Sequence, residues 1–126
     1  MLTELSVENL AIVERARLEP APGLTALSGE TGAGKSLLVG ALTLLVGGRA
    51  ELDAIRTGES RARLEARFLE TPAAARTLLE SWGIPCDDGE IVLRREELAL
   101  RGRGQISFGH AYEDDPSEVL GFSCLD

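Results

Sequence analysis

Apolar and polar positions alternate over Leu2–Glu8, with Leu5 and Val7 on one face, and this period of two predicts a strand. Asn9 suits the turn that follows. Ile12–Glu19 repeats the pattern, placing Ile12, Ala16 and Leu18 on one side and Arg15, Arg17 and Glu19 on the other. The short connection predicts that the two strands pair as an antiparallel hairpin. Pro20-Ala-Pro22-Gly23 breaks the pattern. Leu24–Ser28 is a short, mostly apolar run suited to a strand buried on both faces. Leu37–Val46 is apolar nearly all round and reads as a helix buried between layers, stopped by Gly47-Gly48.

The second half alternates again. Residues 49–60 read as a loop with a short extended piece at Ala54–Arg56. In Arg61–Leu69, Ala62, Leu64, Ala66 and Phe68 face one way and Arg61, Arg63, Glu65 and Arg67 the other, which predicts a half-buried strand. Thr71-Pro72 reads as an N-cap with proline at the first helical position. The helix should run to about Trp82 and stop at Gly83, with Leu78, Leu79 and Trp82 packed in the core. Asp87-Asp88-Gly89 reads as a turn and Glu90–Glu97 as a further strand. Arg101-Gly-Arg-Gly104 reads as a mobile turn, and 105–126 shows no clear periodicity.

Between the run at 24–28 and the apolar helix stands Gly29-Glu-Thr-Gly-Ala-Gly-Lys-Ser36, which fits the Walker A pattern G-x-x-x-x-G-K-[ST] at every position. Glycines at 29, 32 and 34 permit backbone angles that turn successive N–H groups inward. Those groups bind phosphate oxygens, aided by the positive end of the following helix. Lys35 is placed to bridge the β- and γ-phosphates, and the Ser36 hydroxyl to ligate Mg²⁺. Chance alone would produce this spacing in roughly one chain in a few hundred of this length. A strand before the loop and a helix after it are the context the motif requires.

Composition sharpens that reading. Twelve of the thirteen basic residues are arginine, and the only lysine is Lys35. A compact ammonium enters a nest of backbone amides, whereas a planar guanidinium is too large. The 126 residues support one domain with a modest core. No apolar run reaches the ~18 residues of a transmembrane helix, and Met1-Leu-Thr-Glu lacks signal-peptide character, so a soluble, cytoplasmic protein is expected. Cys86 and Cys124 are too few for a disulfide framework, and His110 has no partners for a zinc site. Positions 1–104 nearly balance 13 basic against 16 acidic residues, while 105–126 holds five acids and no Lys or Arg. Neither part has the basic face of a free-standing nucleic-acid binder.

Hydrolysis needs more than phosphate binding. A Walker B acid and a water-positioning base are required, and no convincing Walker B strand is present. Leu120–Asp126 contains Gly121, Ser123 and Cys124 and is a poor candidate. Leu27-Ser-Gly-Glu30 echoes an ABC signature only by overlapping the Walker A loop. No catalytic residue is identified.

Two strands before the phosphate loop favour the heads of ABC-type ATPases over small kinases. Leu5-Ser-Val-Glu-Asn-Leu-Ala-Ile-Val13, Pro22-Gly-Leu-Thr-Ala-Leu-Ser-Gly-Glu-Thr-Gly-Ala-Gly-Lys-Ser36, Gly47-Gly-Arg-Ala50, Ile55-Arg-Thr-Gly58 and Leu93-Arg-Arg-Glu96 together resemble the N-terminal head segment of the bacterial RecN family of SMC-like repair ATPases, over about residues 1–101. The resemblance implies an α/β P-loop NTPase fold: a partial ABC/SMC-type ATPase head with an antiparallel strand layer and a buried P-loop helix. It implies ATP and Mg²⁺ as cofactors, with contacts from Gly29, Glu30, Thr31, Gly32, Ala33, Gly34, Lys35 and Ser36, and the metal on Ser36. It places Arg56 near nucleotide or DNA. It also implies partners: a C-terminal lobe that completes the head with Walker B and signature motifs, a second head that shares the nucleotide, and DNA through the full-length protein, with no membrane.

The family pattern ends at Gly104. A strand and then a Q-loop glutamine should follow, but Gln105 lacks the expected surroundings and is not assigned that role. The chain therefore divides into 1–104, the N-terminal part of the head, and 105–126, an acidic tail read as foreign to the family through truncation or a frame shift. The loop alone is compatible with two other functions. A stand-alone small P-loop kinase or nucleotide transferase needs a second acid and an acceptor site, neither of which is found. A non-enzymatic interaction fragment would act through the acidic tail.

Overall fold

The computed structural model describes residues 1–30, 33–51, 53–86, 88–99, 103–109 and 121–122, with Ala33 and the last two stretches described by backbone alone. Eight elements follow in chain order: β1 (Leu2–Leu10), β2 (Val13–Leu18), α1 (Ala33–Leu45), β3 (Arg61–Phe68), α2 (Ala73–Ser81), β4 (Ile91–Leu98), β5 (Arg103–Gly109) and β6 (Gly121–Phe122). The strands form one antiparallel sheet in the order β2-β1-β3-β4-β5-β6.

The predicted hairpin is present, with Leu10 opposite Val13 and Leu5 opposite Leu18. Ile12 departs from the expected inward face. It sits in the tight turn and is 72% exposed, because a turn residue has no sheet face to join. Elsewhere alternation decides the layers. Leu5, Val7, Ala62, Leu64 and Ala66 are fully buried and meet Ala41, Leu44 and Leu45 of α1. Burying a side chain of leucine or valine size contributes about 1.5–3 kcal/mol. The opposite face carries cross-strand ion pairs, Arg63–Glu96 at 2.7 Å and Arg94–Glu65 at 2.7 Å, directly opposed in the β3–β4 register.

Four further expectations are corrected. Leu24–Ser28 is not a strand; Leu24 is 97% exposed, and among the described residues no strand pairs with this run. A strand's backbone groups need a ladder partner, and apolar composition cannot replace one. Among the described residues helix α1 is not covered all round, since Val39 is 63% exposed and Val46, just past its end, is 76% exposed. Thr71 does not cap α2. Pro72 occupies that place without a side-chain bond, and the Thr71 hydroxyl instead donates to the Gly89 carbonyl at 2.8 Å. In α2 only Leu79 is buried, against Ile84, Cys86 and Ile91, whereas Leu78 and Trp82 are half-exposed. A two-turn helix at the sheet's end covers too little area to bury three large side chains.

Positions 103–104, expected in a mobile turn, belong to β5, which pairs with β4 from Leu98↔Arg103 to Val92↔Gly109. The sheet therefore continues across position 104. The alternation is obscured there by Gly104 and Gly109, and the ladder rests on backbone groups that every residue type supplies.

Candidate functional site

The phosphate loop leads into α1 as its sequence requires. Helix α1 begins at Ala33, so Gly34, Lys35 and Ser36 form its first turn, where N–H groups lack intrahelical partners. That turn contains no acidic residue, leaving the positive end of the helix dipole uncompensated by its own side chains. The Lys35 ammonium curls back over the loop and donates to the Gly29 carbonyl. Gly29, Glu30, Gly34 and Ser36 are exposed and Lys35 is half-buried. Thr31, Gly32 and the side chain of Ala33 lie outside the described residues.

Two cavities flank Lys35. The smaller, about 410 Å³, lies between the loop (Gly29, Glu30, Gly34) and the β2 hairpin strand, with Arg17 on its wall. The larger, about 720 Å³, runs along α1 past Ser36, Val39, Gly40 and Thr43 to Arg49, Glu51 and Asp53. A Cβ placed on Gly29 or Gly34 would meet nothing within 4 Å, so the loop's backbone borders open space. This donor set fits a polyphosphate with a divalent cation: unpaired helix-start amides, one ammonium able to leave a carbonyl for an anion, and a hydroxyl in the next position. Among the described residues no group of three or more His, Cys, Asp or Glu could hold a metal ion, and no helix is long and apolar enough to cross a membrane.

Arg56 stands apart from this arrangement. Its backbone N–H donates to the Asn9 carbonyl at 2.9 Å, and its carbonyl accepts from Glu59 N–H at 3.0 Å across a turn with Gly58 at φ +90°. It lines neither cavity.

The far end of α1 is held by residues that the motif does not name. Gly47, at φ +99°, donates to the Leu44 carbonyl at 3.0 Å, and Gly48 to the Thr43 carbonyl at 2.8 Å. This is the paired bonding of a Schellman stop. Arg95 of β4 reaches the same end. Its Nη1 donates to the carbonyls of Leu44 at 2.6 Å and Gly48 at 2.7 Å, while its Nε donates to Glu97 Oε1. Both charged residues are buried, at 7% and 4% exposure. Parity carries the signal that could have found them: counting in twos from Leu93 puts 95 and 97 on the core face.

The comparisons with known proteins agree with this geometry. A family model described as "AAA domain" matches residues 4–78. DNA repair protein RecN of Halalkalibacterium halodurans is 48% identical over 97 residues, which is 76% of this chain and 17% of that protein. RecN of Bacillus subtilis is 45% identical over 97 residues with the same coverage. RecN of Mycobacterium bovis is 40% identical over 115 residues, 86% of this chain and 20% of that one. The chain thus spans about a fifth or less of the length of these curated relatives. Two solved structures share the fold at TM-score 0.66 and 22% identity. One comes from work on ATP-driven dimerization and DNA-stimulated activation of SMC ATPases, covering 86% of this chain and 70% of that one. The other is an SMC head bound to the C-winged helix domain of ScpA, covering 88% and 36%. With a phosphate loop opening α1, the fold of the SMC heads and sequence similar to RecN throughout the matched region, this chain belongs to the AAA domain family.

Proposed function

We propose that this chain is the ATP-binding segment of a RecN-like ATPase acting in DNA double-strand-break repair and recombination, and that it does not complete hydrolysis alone. The observation that carries this reading is the Walker A loop at the start of α1, flanked by sequence 40–48% identical to RecN proteins. The backbone N–H groups of Gly29, Glu30, Thr31, Gly32, Ala33 and Gly34 cradle the phosphates. Lys35 leaves the Gly29 carbonyl and neutralises charge between the terminal phosphates. The Ser36 hydroxyl holds Mg²⁺, which supplies further charge neutralisation when bound. Arg56 enters through the resemblance alone, as a residue near nucleotide or DNA.

The exposed run Leu24–Ser28 and the uncovered side of α1 support a second lobe as partner. In this reading the lobe completes the sheet beside 24–28 and brings the acid and base that hydrolysis needs. A second head and DNA follow by the same resemblance, and residues 105–126 are assigned to a tail outside the family pattern. Nothing in the fold favours a stand-alone kinase, and the comparisons favour the ATPase.

Titration of the isolated chain with a fluorescent ATP analogue and Mg²⁺ tests the site. Saturable binding is expected, with little turnover until a C-terminal lobe is added. Lys35→Ala should weaken binding at least a hundredfold, since charge-assisted contacts to an ammonium contribute about 1.5–3 kcal/mol each. Undiminished binding by that variant would remove the loop from the account.

A further inference from the structure

We propose that Arg95, oriented by Glu97, is a positioning residue for the phosphate site, pinning the C-terminal end of α1 to the sheet so that its first turn is held at a fixed angle. This rests on the reading of Gly29–Ser36 as a phosphate site. The case begins with how α1 is supported. Its buried residues are Ala41, Leu44 and Leu45, all in its last turn and a half. The first turn, with Gly34, Lys35 and Ser36, is exposed or half-buried. Leu37, Leu38 and Leu42 are only partly buried against the same core, so the helix is held most firmly at one end and carries its functional groups at the other.

Hydrophobic contact resists separation but resists rotation poorly, because it is non-directional. Directional bonds at the clamp come from Arg95. One Nη1 binds two carbonyls that belong to different parts of the helix stop, Leu44 at 2.6 Å and Gly48 at 2.7 Å. The other side of the same guanidinium is fixed by Glu97 on its own strand. A planar fork bonded on two sides sets an orientation as well as a distance. Helix α1 has no basic residue in its last turn, so the cation at its negative end comes from β4.

Lever arithmetic shows why the pin matters at the loop. Lys35 and Leu44 are nine residues apart, about 14 Å along the axis at 1.5 Å per residue. A tilt of about 5° at the clamp displaces the first turn by about 1 Å, and a misplacement of that size costs on the order of a hundredfold in geometry-dependent function. The field of Arg95 cannot act in its place. It is neutralised by the adjacent carboxylate of Glu97, and the pair presents little net charge to the loop.

The test uses Arg95→Met and the double variant Arg95→Met/Glu97→Leu. The single change leaves a buried carboxylate unpaired and risks unfolding. The double change removes both charges, a replacement that buried pairs often tolerate. Melting temperature, amide hydrogen exchange and affinity for a fluorescent ATP analogue with Mg²⁺ are measured on the full chain. The double variant should stay folded and melt above the single variant, which keeps a buried unpaired carboxylate. Its amides at 37–40 should exchange about tenfold faster or more while those of β3 keep their rates, and nucleotide affinity should fall about tenfold or more. Wild-type exchange in α1, or faster exchange with unchanged affinity, overturns the positioning role. If the wild-type chain binds no nucleotide yet the exchange contrast appears, the pin stands and the phosphate-site reading fails.

Discussion

Replacing Gly48 by alanine tests how tightly the end of α1 is built. A Cβ there would lie 2.6 Å from the Thr43 carbonyl oxygen, 2.8 Å from Thr43 Cγ2 and 3.1 Å from the Thr43 carbonyl carbon. Relief to ordinary contact at about 3.5 Å requires a backbone shift of about 0.9 Å. The Gly48 carbonyl, now 2.7 Å from Arg95 Nη1, would move with it, and at about 3.6 Å that hydrogen bond no longer exists. Overpacking costs about 1–3 kcal/mol. Losing a bond to a buried charged donor costs about 1.5–3 kcal/mol more. The sum, roughly 2.5–6 kcal/mol, is a large share of the 5–15 kcal/mol that holds a domain folded. Urea denaturation followed by circular dichroism measures it, with a melting temperature lowered by about 10 °C or more expected alongside. Two of the three close atoms are backbone, so Thr43→Ser, which removes only Cγ2, should restore less than half of the loss. A Gly48→Ala chain within about 0.5 kcal/mol of wild type, the ordinary scatter of surface changes, would refute the steric argument, as would full rescue by Thr43→Ser.

Other changes separate the remaining forces. Gly40 lies within α1 with open space where a Cβ would be, so Gly40→Ala should stabilise by about 0.5–1 kcal/mol in the same denaturation assay. Thr71→Val removes a buried hydroxyl, but the Gly89 carbonyl keeps its bond from Thr71 N–H at 3.1 Å. The loss should stay near 0.5–1.5 kcal/mol, and helix content by circular dichroism should be unchanged, because that hydroxyl does not cap α2.

The sequence by itself determined everything that repeats or that chemistry restricts. Period-two alternation over 61–68 is the half-buried strand β3, and the same pattern at either side of Asn9 is the β1–β2 hairpin. Gly29–Ser36 announces the helix that follows it, which begins at Ala33, because the motif needs helix-start amides at that place. Gly47-Gly48 ends α1 because few residue types tolerate the positive φ of that stop.

Tertiary structure alone decided what depends on a neighbour. Leu24–Ser28 has the composition of a buried strand and no ladder partner among the described residues, so it remains exposed coil. An all-round apolar helix announces that it can be covered on every side, not which sides are covered, and here the side with Val39 is not. Trp82 looked like core because indole area favours burial, yet it lies just past the end of a nine-residue helix and is half-exposed. Arg95 and Glu97 show the difference most plainly. In sequence they are two charges in a polar strand, whereas the β3–β4 register turns them inward beneath α1, where helix carbonyls and each other's charge make burial tolerable. Local pattern sets which backbone shapes a segment favours; contact across the sheet sets which of its groups must find partners away from water.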